Sequence, residues 1–200
     1  KELSVNAITE DEKGNLYVGT DRNLLRIDPA GHMLRINPSG TAVAGFTGSF
    51  IRTLHFDNNG ILWIGTTSGL FYYSPVSNGI NEILLPLTRN QSKEVFDILR
   101  DDDGKLWVAT YSGGIMIIDP ITLSVTHLDL QPFYERTETV RSISKGLLGD
   151  YWIGTRGGLY IYTRAKGVTG FFKHDDRDNH SLANNSVLDI FHDNRGDAWI

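Results

Sequence analysis

Histidines are the side chains of this sequence best suited to acid-base catalysis or metal binding, and the sequence has six of them. No two stand at a spacing such as His-x-x-x-His, which would present two ligands on one face of a helix. They occupy unrelated positions in the repeat described below: His32, His55, His127, His174, His180 and His192. We therefore interpret them as surface or strand residues, and we predict no catalytic residue, no metal site and no cofactor.

The only run of three aspartates, Asp101-Asp102-Asp103, has the composition of the start of a calcium-binding loop. Such a loop also needs a Glu at its twelfth position, and this sequence has Ser112 there. The run falls in a predicted turn between two strands. We therefore interpret it as a solvated turn rather than as a metal site.

A unit that recurs five times organises the chain. Its fullest copy, residues 57–66, reads Asp-Asn-Asn-Gly-Ile-Leu-Trp-Ile-Gly-Thr. In every copy an aromatic residue follows a glycine by three positions; the glycines are Gly14, Gly60, Gly104, Gly149 and Gly196, and the aromatics are Tyr17, Trp63, Trp107, Trp152 and Trp199. The aromatics are 46, 44, 45 and 47 residues apart. A period of this size is typical of repeat architectures in which neighbouring units share a core.

Each unit contains four short runs with the character of β-strands. The second run is apolar without alternation, as in a strand covered on both faces, and the third often ends at a proline, which cannot donate to a ladder. Four antiparallel strands per period predict an all-β protein of the β-propeller class. The predicted blades span residues 5–37, 51–85, 95–130, 140–173 and 187–200, so residues 1–200 form one partial propeller of about four and a half blades with no second domain.

The repeated residues are predicted to be structural. Each repeat glycine supplies the positive φ that closes the first hairpin, and the Asp three positions earlier bonds the turn backbone. The aromatic rings are predicted to be buried between neighbouring blades. In the fourth copy Gly146 stands at the Asp position, and we expect a looser turn there.

Composition excludes several classes of partner. A net charge of −5 argues against a nucleic-acid-binding face, which needs clustered basic residues. No apolar run approaches the ~20 residues that cross a bilayer, so membrane attachment is expected only through other domains. Because residues 199–200 fall inside the fifth motif, we expect the chain to be part of a longer polypeptide and an arc of a larger ring. The open faces of such an arc favour self-association.

Two stretches resemble the two-component regulator propeller repeat. One is Gly-x-Leu-Trp-Ile-Gly-Thr-x-x-Gly-Leu at residues 60–70, and the other is the linker at residues 180–187, which is similar to the family's Ser-Leu-x-Asn-Asn-x-Val entry into a blade. The resemblance implies the extracytoplasmic, periplasmic sensor region of a hybrid two-component histidine kinase of the Bacteroidetes type. It implies blades in large rings, here expected to have seven, and a homodimeric receptor. It also implies that oligosaccharides are detected and that the signal reaches the transcription of glycan-utilisation genes.

Ligand contacts are expected where the copies differ, in the loops after the second strand and before the first. The candidates combine aromatic, hydroxyl and guanidinium groups that suit a glycan or its acidic substituents: Arg22, Tyr111, Ser112, Tyr134, Arg136, Arg141 and Arg156. We predict no enzymatic activity for this segment. The alternatives are a propeller lyase or glycan-active enzyme, and a non-catalytic scaffold for protein interaction.

Overall fold

The computed structural model describes residues 4–37, 43–128, 130 and 139–200. Contacts divide the chain into two compact units, residues 1–86 with 93–98 and residues 87–92 with 99–200. The elements in chain order are β1 (Val5–Glu10), β2 (Leu16–Thr20), β3 (Leu24–Ile27), β4 (Met33–Arg35), α1 (Val43–Phe46), β5 (Ile51–Phe56), β6 (Leu62–Thr66), β7 (Gly69–Ser74), β8 (Gly79–Ile83), β9 (Val95–Arg100), β10 (Leu106–Thr110), β11 (Ile115–Ile118), β12 (Val125–His127), β13 (Val140–Lys145), β14 (Tyr151–Thr155), β15 (Leu159–Thr163), β16 (Gly167–Phe172), β17 (Phe191–His192) and β18 (Ala198–Trp199).

The strands form four sheets of four, each with its strands adjacent in chain order: β1–β4, β5–β8, β9–β12 and β13–β16. Strands β17 and β18 form a further two-stranded sheet. The registers are antiparallel throughout the pairs β1 to β4, β5 to β8 and β13 to β16. These sheets confirm the predicted all-β propeller class. We call each four-stranded sheet a blade and its strands a, b, c and d.

The a–b hairpin turns close by the same hydrogen bonds in several blades. In the second blade the Gly60 amide donates to the Asp57 carbonyl at 3.1 Å, and the Asp57 amide donates to the Ile61 carbonyl at 3.0 Å. The Asp57 carboxylate accepts from the amides of Asn59 and Ile61 through Oδ1. Gly60 has a φ of +73°, a conformation that a residue with a Cβ adopts only with strain. Asp and Gly are therefore both required by the turn.

The same carboxylates also bind the buried tryptophans. Trp63 Nε1 donates to Asp57 Oδ2 at 2.9 Å, and Trp107 Nε1 donates to Asp101 Oδ2 at 2.8 Å. The indoles are only 1% and 2% exposed, so each would bury an unsatisfied donor without its aspartate. From the sequence, the repeated Asp was predicted to stabilise the turn alone. In the structure it also fixes the ring at the centre of the blade.

The fourth blade holds its indole with an aspartate that stands four positions later in the turn. The Gly146 amide donates to the Asp150 carbonyl at 2.9 Å, as in the other a–b turns, but among the described residues the bond from the repeat glycine back to position 146 and the carboxylate-to-amide bonds are missing, which agrees with the looser turn expected from the sequence. Asp150 Oδ2 accepts from Trp152 Nε1 at 2.7 Å. A Cβ at position 146 would lie 2.3 Å from Asp150 Oδ1, so any side chain there requires the Asp150 carboxylate to move.

We expect Gly146→Asp and Asp150→Asn each to destabilise the protein, and the double variant to recover stability. The first places a Cβ where the Asp150 carboxylate now lies, and the second replaces the charged acceptor of the Trp152 indole by an amide, each at a cost of about 1–3 kcal/mol. The double variant restores the pair found in the first blade, Asp11 and Asn15. Urea unfolding of the four proteins gives the coupling energy, and additive losses would show that neither residue takes over the role of the other.

The core of each blade lies along strand b. Every residue of β6 and of β10 is buried. A small residue near the end of strand b receives the first side chain of the next strand a along the chain. A Cβ at Gly19 would lie 2.4 Å from Ile51 Cγ2, and one at Gly65 would lie 2.6 Å from Val95 Cγ1. The Gly-Thr of the repeat therefore provides the space in which one blade receives the next strand a.

The repeat aromatics differ in burial. Tyr17, Trp63 and Trp107 are 1%, 1% and 2% exposed, whereas Trp152 is half-buried and Trp199 is 60% exposed. Trp152 and Trp199 are therefore less buried than the sequence predicted. Trp107 is stacked on Tyr151 at 4.2 Å between ring centroids, but Ala198 stands at the position equivalent to Tyr151 in the last copy and covers less of Trp152. The His192 ring packs at right angles to the Trp152 ring instead, with the ring centroids 5.0 Å apart.

Candidate ligand-binding rim

A buried threonine at the end of strand b holds the b–c turn of each blade. Thr66 Oγ1 donates to the Gly69 carbonyl at 2.9 Å and accepts from the Ser68 amide at 3.0 Å. The equivalent threonines make the same pair of bonds and are completely buried: Thr20, Thr110 and Thr155. The turn backbone is thus fixed while its other side chains are free to vary.

The b–c turn lies beside the segment that leads into strand a of the same blade. The Thr67 amide donates to the Phe50 carbonyl at 3.1 Å, and the Arg156 amide donates to the Thr139 carbonyl at 3.2 Å. In the first blade the Asp21 amide donates to the Ser4 carbonyl in the same way. We call the b–c turn and the d–a connection together the variable rim of a blade. The two loop types that were predicted to carry ligand contacts do meet there.

The predicted site residues of the third and fourth blades take different roles. Tyr111 is 38% exposed and Arg156 is exposed on its turn. Ser112 is a scaffold residue, because its Oγ accepts from the Ser92 amide at 2.7 Å and its carbonyl accepts from Gln91 Nε2 at 2.6 Å. Arg141 is half-buried at a bulge of β13, where the register passes from Val140 to Ser142. Tyr134 and Arg136 lie outside the described residues.

The first blade has a cavity of about 120 Å³ on its variable rim. Its floor is apolar and consists of Leu24, Ile36 and Phe46, each less than a tenth exposed. Its polar lining is formed by Arg22, Asn23, Arg35, Asn37 and Thr47. An apolar floor with a few convergent polar groups is typical of small-molecule sites. Of the sequence-predicted residues, Arg22 lies here, and Arg35 was missed.

Arg35 was missed because it lies in strand d, which the repeat presents as structural. The sequence did contain a signal. By register, the residues equivalent to Arg35 in the other blades are Glu82, His127 and Phe171, so this position changes in charge and size from copy to copy. A variable position within a repeated strand indicates a role other than that of the common core.

Two larger cavities lie at the opposite edge of the blades, beside the a–b turns. One of about 300 Å³ is lined by residues 10–13 and 56–60 with Pro75 and Val76. Its central carboxylates are occupied by their own turns, since Asp11 accepts from Lys13 and Asn15, and Asp57 accepts from Trp63. Volume alone therefore does not make it the better candidate.

The second of these cavities, of about 200 Å³, lies beside the acidic run. Asp101 and Asp103 both pair with Arg164, and Asp102 pairs with Lys145. Burial lowers the pKa of Arg164, but the carboxylates raise it more, so the net pKa is above its usual value. The run forms an a–b turn in which Asp102 and Asp103 are exposed, as predicted for a solvated turn, whereas Asp101 is buried. All three carboxylates also pair with cations of the fourth blade, which the sequence did not predict.

The histidines form no recognisable catalytic or metal site. His192 Nδ1 lies 2.9 Å from Ser144 Oγ, but its Nε2 is buried and has no hydrogen-bond partner among the described residues. An activated serine needs a base that is itself oriented by a third group. Hydrogen bonds with Asp176 and the Leu182 carbonyl raise the pKa of His174. Within the described ranges, no three His, Asp or Glu residues are grouped to hold a metal ion.

Residues 1–22, 45–68 and 91–112 match the family model described as two component regulator propeller. These three segments are two-component regulator propeller repeats. Each matched segment covers the a and b strands of one of the first three blades. The fourth blade, where Gly146 replaces the turn aspartate, lies outside the matches. These matches confirm the resemblance seen in the sequence. Comparison with curated proteins gave no match.

Several solved structures share the fold of these propeller repeats. The extracellular domain of the putative hybrid two component system BT4673 from B. thetaiotaomicron has 22% identity and a TM-score of 0.84, over 98% of this chain and 26% of that chain. Virginiamycin B lyase from Staphylococcus aureus has 16% identity and a TM-score of 0.73, over 98% and 62%. PorZ, a surface component of the type-IX secretion system of Porphyromonas gingivalis, has 20% identity and a TM-score of 0.70, over 98% and 30%.

The chain of propeller repeats spans about a quarter of the length of the BT4673 domain. At these identities the similarity establishes the fold only. Among the described residues, no helix is both long and apolar enough to span a membrane.

Proposed function

We propose that this chain is a segment of the extracytoplasmic, periplasmic sensor region of a hybrid two-component system, and that its variable rims contribute to binding an oligosaccharide. The propeller repeats and the fold shared with the BT4673 extracellular domain support the first part. In such a receptor, occupancy of the rims would be transmitted to kinase and transcriptional domains outside this chain. The ligand class is inferred from the rim residues.

The observation that carries the proposal is the contrast between a constant scaffold and variable rims. The four threonines that fix the b–c turns are identical and completely buried. The residue that follows each of them differs in every blade: Asp21, Thr67, Tyr111 and Arg156. A scaffold that fixes the backbone and varies the exposed side chains is the arrangement by which repeat proteins present binding residues.

The exposed rim groups suit a polyhydroxylated ligand. Tyr111 offers a partly exposed ring and a hydroxyl, and Arg156 offers a planar guanidinium with several donors. Aromatic faces pack on the apolar face of a sugar ring, while guanidinium groups donate to hydroxyls or acidic substituents. Ser112 is excluded from this set because the d–a connection already uses it.

Calorimetric titration of the intact receptor ectodomain with a panel of oligosaccharides tests the proposal. We expect a binding oligosaccharide whose affinity falls at least about tenfold in Tyr111→Ala/Arg156→Ala, since two contacts of about 1 kcal/mol or more are lost. Arg195→Ala is the matched control, because Arg195 is exposed on an a–b turn and pairs only weakly with Asp193 at 3.4 Å.

Three outcomes would contradict the proposal. Affinity unchanged in the Tyr111/Arg156 variant would place the site elsewhere. Binding to proteins but to no oligosaccharide would assign the chain to interaction scaffolds. Turnover of a glycan or a cyclic peptide, abolished by a histidine substitution, would make the protein an enzyme.

A further inference from the structure

We propose that the cavity between Arg22 and Arg35 in the first blade binds the acidic substituent of a sugar, a carboxylate or a sulfate ester. The inference rests on the proposed function, from which it takes that the ligand is a sugar. It adds a specific site and a charge requirement that the rims as a whole do not imply.

Strand pairing places Arg35 beside the b–c turn. Arg35 is the last residue of β4 and pairs with Leu25, and the following amide, that of Ile36, donates to the Leu24 carbonyl at 2.9 Å. Strand d thereby continues up to the turn that carries Arg22. The two arginines enter the same cavity from different elements of one blade.

In each of the other blades the residue equivalent to Arg35 is committed to a contact within the protein. Glu82 pairs with Lys93 at 2.9 Å. His127 Nε2 is 2.9 Å from the Gly113 carbonyl. Phe171 is stacked on Tyr160 with ring centroids 4.3 Å apart, and it lies 2.8 Å from where a Cβ of Gly158 would be. All three thus fill or close the position beside their own b–c turn.

Among the described residues, no such contact holds the Arg35 side chain. Arg35 is exposed, and its side chain makes no hydrogen bond or ion pair with any of them. The Arg22 side chain is 56% exposed and has a long pair with Asp21, at 3.7 Å. As far as the described residues show, the first blade therefore leaves open, with two cations at its edge, the position that the other three blades occupy.

The charge of the lining selects an anion. Among the described residues, two guanidinium groups and no carboxylate line the cavity, although the whole chain has a net charge of −5. Guanidinium groups bind planar or tetrahedral oxyanions through paired N–H donors, and Asn23 and Asn37 add amide groups. A volume of about 120 Å³ is below the ~300 Å³ lower limit of sites for whole drug-sized ligands, so the cavity suits one substituted ring.

Three probes that differ only at C6 of the sugar test the proposal: methyl β-glucoside, methyl β-glucuronide and the 6-sulfate of methyl β-glucoside. We expect the two charged probes to bind the intact ectodomain at least about tenfold more tightly than the neutral one, and to shift the Nε–Hε signals of Arg22 and Arg35 in NMR titrations. Binding of the glucuronide, the sulfate or both identifies the acidic group. Equal affinity for all three probes, or no binding of the charged ones, would overturn the proposal.

Charge variants separate this site from the rest of the rim. We expect Arg35→Glu to abolish binding of the charged probes, Arg35→Lys to retain part of it, and Arg195→Ala to leave it unchanged. Thermal unfolding confirms that each variant is folded. An oligosaccharide that needs Tyr111 and Arg156 but shows no preference for acidic sugars would refute this inference and leave the proposed function standing. Charged probes that bind through Arg35 in a protein with no oligosaccharide ligand would do the reverse.

Discussion

Replacement of Asp101 by alanine is expected to lower the free energy of unfolding by about 3 kcal/mol. The carboxylate is completely buried, and it accepts from Trp107 Nε1 at 2.8 Å and from the Lys105 amide at 2.8 Å. Its loss leaves the buried indole N–H unsatisfied and removes one of the two carboxylates paired with Arg164. Urea unfolding, followed by tryptophan fluorescence, measures the change.

Asp103→Ala is the matched control for this variant. Asp103 pairs with the same Arg164, but its side chain is 62% exposed and the pair is screened by solvent. We expect less than about 0.5 kcal/mol for its loss. Equal effects of the two substitutions would show that the ionic contact dominates and that the indole hydrogen bond is of little energetic value.

Gly65→Ala is expected to cost about 2 kcal/mol, although it adds only one methyl group. The new Cβ would lie 2.5 Å from Thr53 Cγ2 and 2.6 Å from Val95 Cγ1, distances at which the neighbouring side chains must move. Overpacking of this size in a closely packed core costs about 1–3 kcal/mol. Thermal or urea unfolding of the variant measures the loss.

Val95→Ala provides the test of mechanism. Shortening Val95 opens a cavity by itself, but it also removes one of the two clashes, so the double variant should lose less than the sum of the single losses. The equivalent residue in the third blade is Ala109, which is fully buried, so the position accepts a methyl group where its neighbours are arranged for it. Additive losses at Gly65 and Val95 would contradict direct contact between the two positions.

The sequence predicted most of the fold because the fold depends on features that repeat. The glycine of each a–b turn requires positive φ, and the apolar b strand requires cover on both faces, so both leave a periodic signal. The residues of the indole-to-aspartate hydrogen bond also repeat with this period. The repeated Asp was attributed to the turn alone, because spacing does not show that Asp57 uses its second carboxylate oxygen to bind Trp63.

The candidate site was harder to predict, since a site that occurs in one blade has no period. Arg22 was found because it lies in a loop. Arg35 was overlooked because its strand is structural in every copy, and only the register with Leu25 brings it to the turn. Ser112 was assigned to the ligand because it is a polar loop residue, whereas its hydroxyl is used by the Ser92 amide. Whether a polar side chain already has a partner within the protein depends on tertiary contacts, which the sequence does not show.

The acceptor of the indole can occupy either of two positions in an a–b turn. The second and third blades use the Asp that opens the turn, and the fourth blade uses Asp150, four positions later. The last copy has an acid at both positions, Asp193 and Asp197, and its turn closes by the usual bonds. A lineage that passes through such a copy keeps an acceptor for the indole at every step. Which of the two acids a blade retains is therefore a heritable mark of its descent.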